Sequence, residues 1–161
     1  GNLSRMTDEL NYLPKHDEIQ YVFFGPNGNK VITSNRDDFV YRGSLMGEEF
    51  LNELTTCDFG LILYSHNFEK YASRAIAGKV STYVHALLPV ICPSIYSSMS
   101  ELVKRLDIGL VINDLGEINV ILTLPSEKYR LWIVNCINER KKIQTGGHYK
   151  EALQKMGIEV T

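Results

Sequence analysis

Gly78-Lys79-Val80-Ser81-Thr82-Tyr83-Val84-His85-Ala86-Leu87-Leu88-Pro89-Val90-Ile91-Cys92-Pro93 reads as a short helix, a tight connection and a buried strand. Gly78 precedes the first helical residue and Pro89 follows the last, as helix start and stop rules expect. Val90 to Cys92 is apolar on both faces, the pattern of a parallel strand covered by helices. Lys79 sits in the first helical turn, and Tyr83, four residues on, shares its face. An ammonium and a phenol at the mouth of a parallel sheet suit a phosphorylated ligand with a ring to orient.

Moving outward, other apolar runs repeat the alternation. Ile19–Phe24, Phe39–Arg42, Phe59–Tyr64 and Ile108–Ile112 read as strands. Helices are expected over Leu3–Leu13, Met46–Leu54, Ser97–Arg105, with Ser98 or Ser100 as its cap, and Leu115–Leu122. Pro125 opens a long helix to about Lys142, where a missing N–H costs least, and Gly146-Gly147 divides it from a last helix over His148–Met156. Gly25-Pro26-Asn27-Gly28-Asn29 is a turn cluster, and residues 30–38 and 65–77 read as loops. No internal repeat is visible.

Strands alternating with helices, most of them unbroken apolar runs, imply an α/β fold: a Rossmann-like open parallel sheet with helices on both faces. Ligands of such sheets bind beyond the carboxyl ends of the strands. That places the loops after Phe24, Arg42, Tyr64 and Cys92, and the start of the helix at Lys79, on the working edge.

Composition narrows the function classes. At 161 residues the chain is read as one domain able to bury a sizeable core. A net charge of −2 leaves no broad footprint for nucleic acid. No apolar run reaches membrane-spanning length and no signal peptide is present, so a cytoplasmic location is expected. Cys57, Cys92 and Cys136 lie far apart and read as buried free thiols, without zinc spacing. Glu48-Glu49 reads as a first-turn charge pair, and Asp37-Asp38 as a solvated doublet in a loop. No histidine has a metal partner at helical spacing, and His66, in the loop after Tyr64, is the one histidine worth testing.

Taken in order, Gly60-Leu61-Ile62-Leu63-Tyr64, Lys79-x-Ser81-x-Tyr83, Leu88-Pro89-Val90-Ile91 and Ile108-Gly109-Leu110-Val111-Ile112-Asn113-Asp114-Leu115-Gly116-Glu117 resemble the C-terminal, nucleotide-sugar-binding domain of GT-B glycosyltransferases. The likeness is nearer to bacterial galactofuranosyltransferase and serine-rich-glycoprotein glucosyltransferase enzymes. Gly1-Asn2-Leu3-Ser4 is similar to the turn after that domain's first strand, and Tyr41-Arg42-Gly43 to the end of its third. Leu87 stands where the family has glycine. Ser81, Thr82 and Tyr83 stand where many broader GT-B enzymes carry a ribose-holding glutamate.

The resemblance implies a donor-binding domain spanning residues 1–161. Lys79, with Arg5, would neutralise the diphosphate of a nucleotide sugar, a UDP-sugar by expectation, and Tyr83, Ser81, Tyr41, Gly43 and Asn2 would shape the site. Backbone N–H groups of residues 2–5 could also receive an anion. The donor is a substrate, so no cofactor and no metal is implied, and the sequence names no catalytic residue. A carbohydrate or glycoprotein acceptor would be held by an N-terminal domain that the sequence lacks, together with the first strand of the sheet; this part alone is expected to be inactive. The missing strand would be replaced by rearrangement or by a partner chain, a swapped homodimer included. Peripheral membrane association of the parent enzyme through Arg140-Lys141-Lys142 stays open, though a helix C-terminal cluster accounts for these residues.

The alternative class is a non-enzymatic α/β interaction or signalling module. A receiver domain needs an acidic cluster after its first strand, and a dinucleotide oxidoreductase needs G-x-G-x-x-G; neither pattern is present.

Overall fold

The apolar runs become five short strands in the computed structural model, which describes residues 7–26, 28, 36–65 and 78–156. β1 (Tyr21–Phe23) runs parallel to β2 (Phe39–Tyr41), with Tyr21 opposite Phe39. β3 (Gly60–Leu61), β4 (Val90–Pro93) and β5 (Gly109–Ile112) form a second parallel ladder in that order. Helices make the crossovers: α2 (Gly47–Leu54), α3 (Gly78–His85) and α4 (Ser97–Leu106) precede β3, β4 and β5 respectively. α1 (Thr7–Leu10) leads into β1, while a 3₁₀ segment (Leu115–Thr123), α5 (Ser126–Gln144) and α6 (Gly147–Lys155) follow β5. This is the expected Rossmann-like α/β architecture.

Strand alternation sorts the core into layers. Ile91 faces Leu10, Leu13, Ile112 and Ile118, whereas Val90 and Cys92 face Val80, Val84, Met99, Val103 and Cys136. β4, buried on both faces, is therefore apolar throughout. The first layer also takes Tyr21, Phe23 and Phe39 from the other ladder. A third cluster joins Phe24, at the end of β1, to Leu54, Tyr83, Ala86 and Leu88. The two ladders thus share apolar layers without pairing with each other.

α3 and α4 end alike. Leu87 adopts φ 60° and Asp107 φ 46°, both left-handed without being glycine. Leu88 N–H bonds the Tyr83 carbonyl at 2.9 Å, and Ile108 N–H the Val103 carbonyl at 3.2 Å. These are Schellman closures, and each releases the chain into the next strand. The helix therefore stops at His85, three residues before the expected end. Asp107 is anchored by α5: Lys128 Nζ and Trp132 Nε1 donate to its carboxylate, and Asn135 Nδ2 to its carbonyl.

Other expectations need correction. Tyr96, not Ser98 or Ser100, occupies the cap position of α4; Ser100 is buried and donates to the Ser97 carbonyl. Leu115–Thr123 winds as 3₁₀ rather than α-helix, started by Asp114, whose carboxylate accepts from Gly116 N–H. Asp37 is solvated, with its side chain 81% exposed, but the Asp38 side chain is only 6% exposed and pairs with Arg36 through both oxygens. Arg36 also donates to the Leu13 and Pro14 carbonyls, so the pair clasps the α1–β1 connection to the start of β2. The three cysteines are free, Cys92 and Cys136 buried and Cys57 half-buried.

Candidate donor site at the carboxyl edge

Lys79 enters from the first turn of α3 and is half-buried. Its Nζ donates to the Leu63 carbonyl at 2.8 Å and lies 4.2 Å from the centre of the Tyr64 ring. No carboxylate pairs with it among the described residues. Burial lowers its pKa to about 8, because an ammonium leaving water without a counter-ion is disfavoured.

Tyr83 follows one turn later on the same face. Its hydroxyl donates to the Leu61 carbonyl at 3.0 Å, and its ring fills the space over Gly60 that any Cβ there would occupy. Burial pushes the phenol pKa well up, so it stays a neutral donor. Gly109 is small for a related reason: a Cβ would run into the Val90 backbone across the β4–β5 ladder. Gly60 and Gly109 thus both have packing reasons.

Other polar and aromatic groups stand at the carboxyl ends of the strands, Tyr64 beside Lys79 among them. The Tyr96 hydroxyl exchanges bonds with the Tyr64 backbone, accepting from its N–H at 3.0 Å and donating to its carbonyl at 3.1 Å. The two rings meet edge to face at 5.4 Å. After β4 and β5, Ser94 Oγ lies 3.2 Å from Asn113 Oδ1, and Asn113 N–H donates to Glu117 Oε2 at 3.0 Å. Sequence reasoning passed over Tyr64, Tyr96, Ser94 and Asn113 as site residues. The available signal was their common position at or just past the end of an apolar run.

Residues 1–156 match the family of the glucosyltransferase 3-like C-terminal domain. The chain belongs to that family. No curated protein matches it. As a glycosyltransferase C-terminal domain, it places its expected residues unevenly. Lys79 and Tyr83 converge on β3, while Ser81, also on α3, is exposed. Tyr41 and Gly43 end β2 and serve the β1 turn: Tyr41 Oη donates to the Gly25 carbonyl at 2.6 Å, and the Gly43 carbonyl accepts from Gly25 N–H at 2.9 Å. Gly43 has φ 86°, with open space where a side chain would project. Asn2, Arg5 and His66 lie outside the described residues, as do Asn27 and Asn29 of the turn cluster. Among the described residues no cluster of three His, Cys, Asp or Glu side chains could hold a metal, and no helix is long and apolar enough to cross a membrane.

Proposed function

We propose that this glycosyltransferase domain binds the nucleotide diphosphate of a sugar donor, a UDP-sugar, at the carboxyl ends of β3, β4 and β5. The supporting observation is Lys79: a half-buried cation on a helix N-terminal turn, bonded to a neutral carbonyl and without a carboxylate partner among the described residues. A cation there is opposed by the helix dipole as well as by burial. A diphosphate supplies the missing counter-ion and turns both penalties into binding energy. Tyr64 and Tyr96 offer aromatic surface to the ring of the base, and Ser94, Asn113 and Glu117 offer hydroxyl partners to the sugar.

In a hexosyl transfer from such a donor, Lys79 would also stabilise charge building on the departing diphosphate. The acceptor, a carbohydrate or glycoprotein, would be presented by an N-terminal domain, so residues 1–161 alone bind without turning over. Arg5 would add a second phosphate cation.

Calorimetric titration with UDP, GDP and ADP tests this reading. UDP should bind, and Lys79→Ala should weaken it tenfold or more, about 1.4 kcal/mol. Preference for another nucleotide would change the donor, whereas no binding of any nucleotide would favour an interaction module.

A further inference from the structure

α5 is apolar on two opposite faces. Trp132 and Cys136 are buried on its inner face, while Leu131, Val134 and Ile137 stay 44%, 50% and 42% exposed on the outer one. Leu131 and Ile137 lie three residues either side of Val134, so they flank it by about 60° on the helix surface. Helices that are apolar all round are normally covered all round, and such a row of side chains is what one helix packs into another.

This outer face lies far from the proposed donor site. Tyr129 Oη donates to the Asp58 carbonyl at 3.1 Å, Asn135 Nδ2 to the Asp107 carbonyl at 2.7 Å, and Arg140 Nη1 to the His85 carbonyl at 3.2 Å. Asp58, His85 and Asp107 stand shortly before β3, β4 and β5. α5 therefore crosses the amino ends of these strands, on the opposite side of the sheet from the carboxyl edge where donor and acceptor would meet.

The face is complementary to itself. Seven residues either side of Val134, two helical turns away, stand Glu127 and Lys141, both exposed and opposite in charge. Neither has an ion-pair partner among the described residues. Four residues either side stand Arg130 and Asn138, also exposed. An antiparallel copy of the helix, crossing at Val134, sets Val134 on Val134, Leu131 on Ile137, Glu127 on Lys141 and Arg130 on Asn138. The last three pairs each occur twice, and no like charges meet. A parallel copy would set Glu127 against Glu127 and Lys141 against Lys141.

We propose that α5 is a self-association face: two copies of this chain pack antiparallel about a two-fold axis at Val134, with an aliphatic centre and a Glu127–Lys141 pair closing each end. The match is isologous, the same patch on both copies, which is why a second copy fits it. The contact row spans about 21 Å, short for a protein interface, so the dimer forms in the micromolar range and dissociates on dilution. Each carboxyl edge points away from the axis and stays open.

Sedimentation velocity on residues 1–161, from about 5 to 500 μM, tests this. The chain should pass from monomer to dimer across that range. Val134→Glu, Glu127→Lys and Lys141→Glu should each weaken the dimer tenfold or more. The double variant Glu127→Lys with Lys141→Glu should restore it, because both end pairs re-form with their charges exchanged. All these positions are exposed, and circular dichroism confirms that the variants fold. The dimer is refuted if the chain stays monomeric throughout, if Val134→Glu associates as well as the parent, as a strand-swapped dimer would, or if the double variant is no tighter than the single ones. Nucleotide is absent from every run, so the outcome is independent of whether UDP binds.

Discussion

Lys79 and Tyr83, one turn apart on α3, bond carbonyls two residues apart on the extended run that begins with β3, in reversed order: Lys79 to Leu63 and Tyr83 to Leu61. The match is geometric. Four helical residues advance about 6 Å and two strand residues about 6.7 Å. A helix packed antiparallel on the preceding strand can therefore address every second carbonyl of an open edge with i and i+4 side chains.

The Lys79 ammonium makes stability depend on pH. Its pKa is about 8 in the fold against 10.5 for an ordinary lysine, so the unfolded chain holds more protons between those values. Stability should rise with pH across that window, because the charge that burial disfavours is being removed. Urea denaturation of the parent and Lys79→Met at pH 7 and pH 10.5 should show the difference moving in the parent's favour by on the order of 1 kcal/mol. A constant difference would mean that Lys79 titrates as if solvated.

Donor affinity should run the other way. On the proposed reading UDP would recruit the charged form, so binding should be steady below pH 8 and weaken above it, by up to tenfold per pH unit. Calorimetry at pH 7, 8 and 9 checks this, and the slope should vanish in Lys79→Arg, which stays charged.

The hydroxyl and the ring of Tyr83 are separable. Tyr83→Phe removes one hydrogen bond and should cost about 1 kcal/mol. Tyr83→Ala also empties the space over Gly60 and should cost roughly 3–5 kcal/mol. Chemical denaturation midpoints distinguish the two, and equal losses would contradict the ring's packing role.

Gly109→Ala should cost more than about 3 kcal/mol or prevent folding, since the added carbon meets backbone that cannot move aside. Gly78→Ala provides the contrast. Its Cβ meets nothing within 4 Å, and the substitution should stabilise by up to about 1 kcal/mol. Thermal melts of both proteins read the difference directly.

The Arg36–Asp38 clasp should govern part of the acid limb. The Arg36 guanidinium holds the Asp38 carboxyl below its ordinary range, so its stabilisation is complete above that range and is lost as pH falls through the lowered value. Asp38→Asn should cost about 2 kcal/mol or more at pH 7 and flatten the stability profile below pH 4. An unchanged acid limb would show that other carboxylates set it.

Much of this was legible in the sequence. The alternation of strands with helices and the Lys79–Tyr83 face follow from apolar runs and helical spacing, both local properties. β3 pairs over fewer residues than its apolar run, and among the described residues only its β4 edge has a paired neighbour. Asp38 was misread since the groups that bury it, Arg36 and the Leu13 and Pro14 carbonyls, converge only after folding. Leu87 and Asp107 carry no glycine signal, yet tertiary contacts hold both in the left-handed region. Tyr64 read as the end of a strand and Tyr96 carried no signal of its own, and their edge-to-face meeting depends on the parallel placement of β3 and β4.

The paired closures at Leu87 and Asp107 also set where the lineage can change length. One residue inserted between α3 and β4, or between α4 and β5, would turn the helix by about 100° relative to the strand and exchange the strand's two faces. Both errors would arrive together, with no slack in the turn to absorb either. Insertions and deletions should therefore be purged at these two junctions more strictly than substitutions in the core they serve.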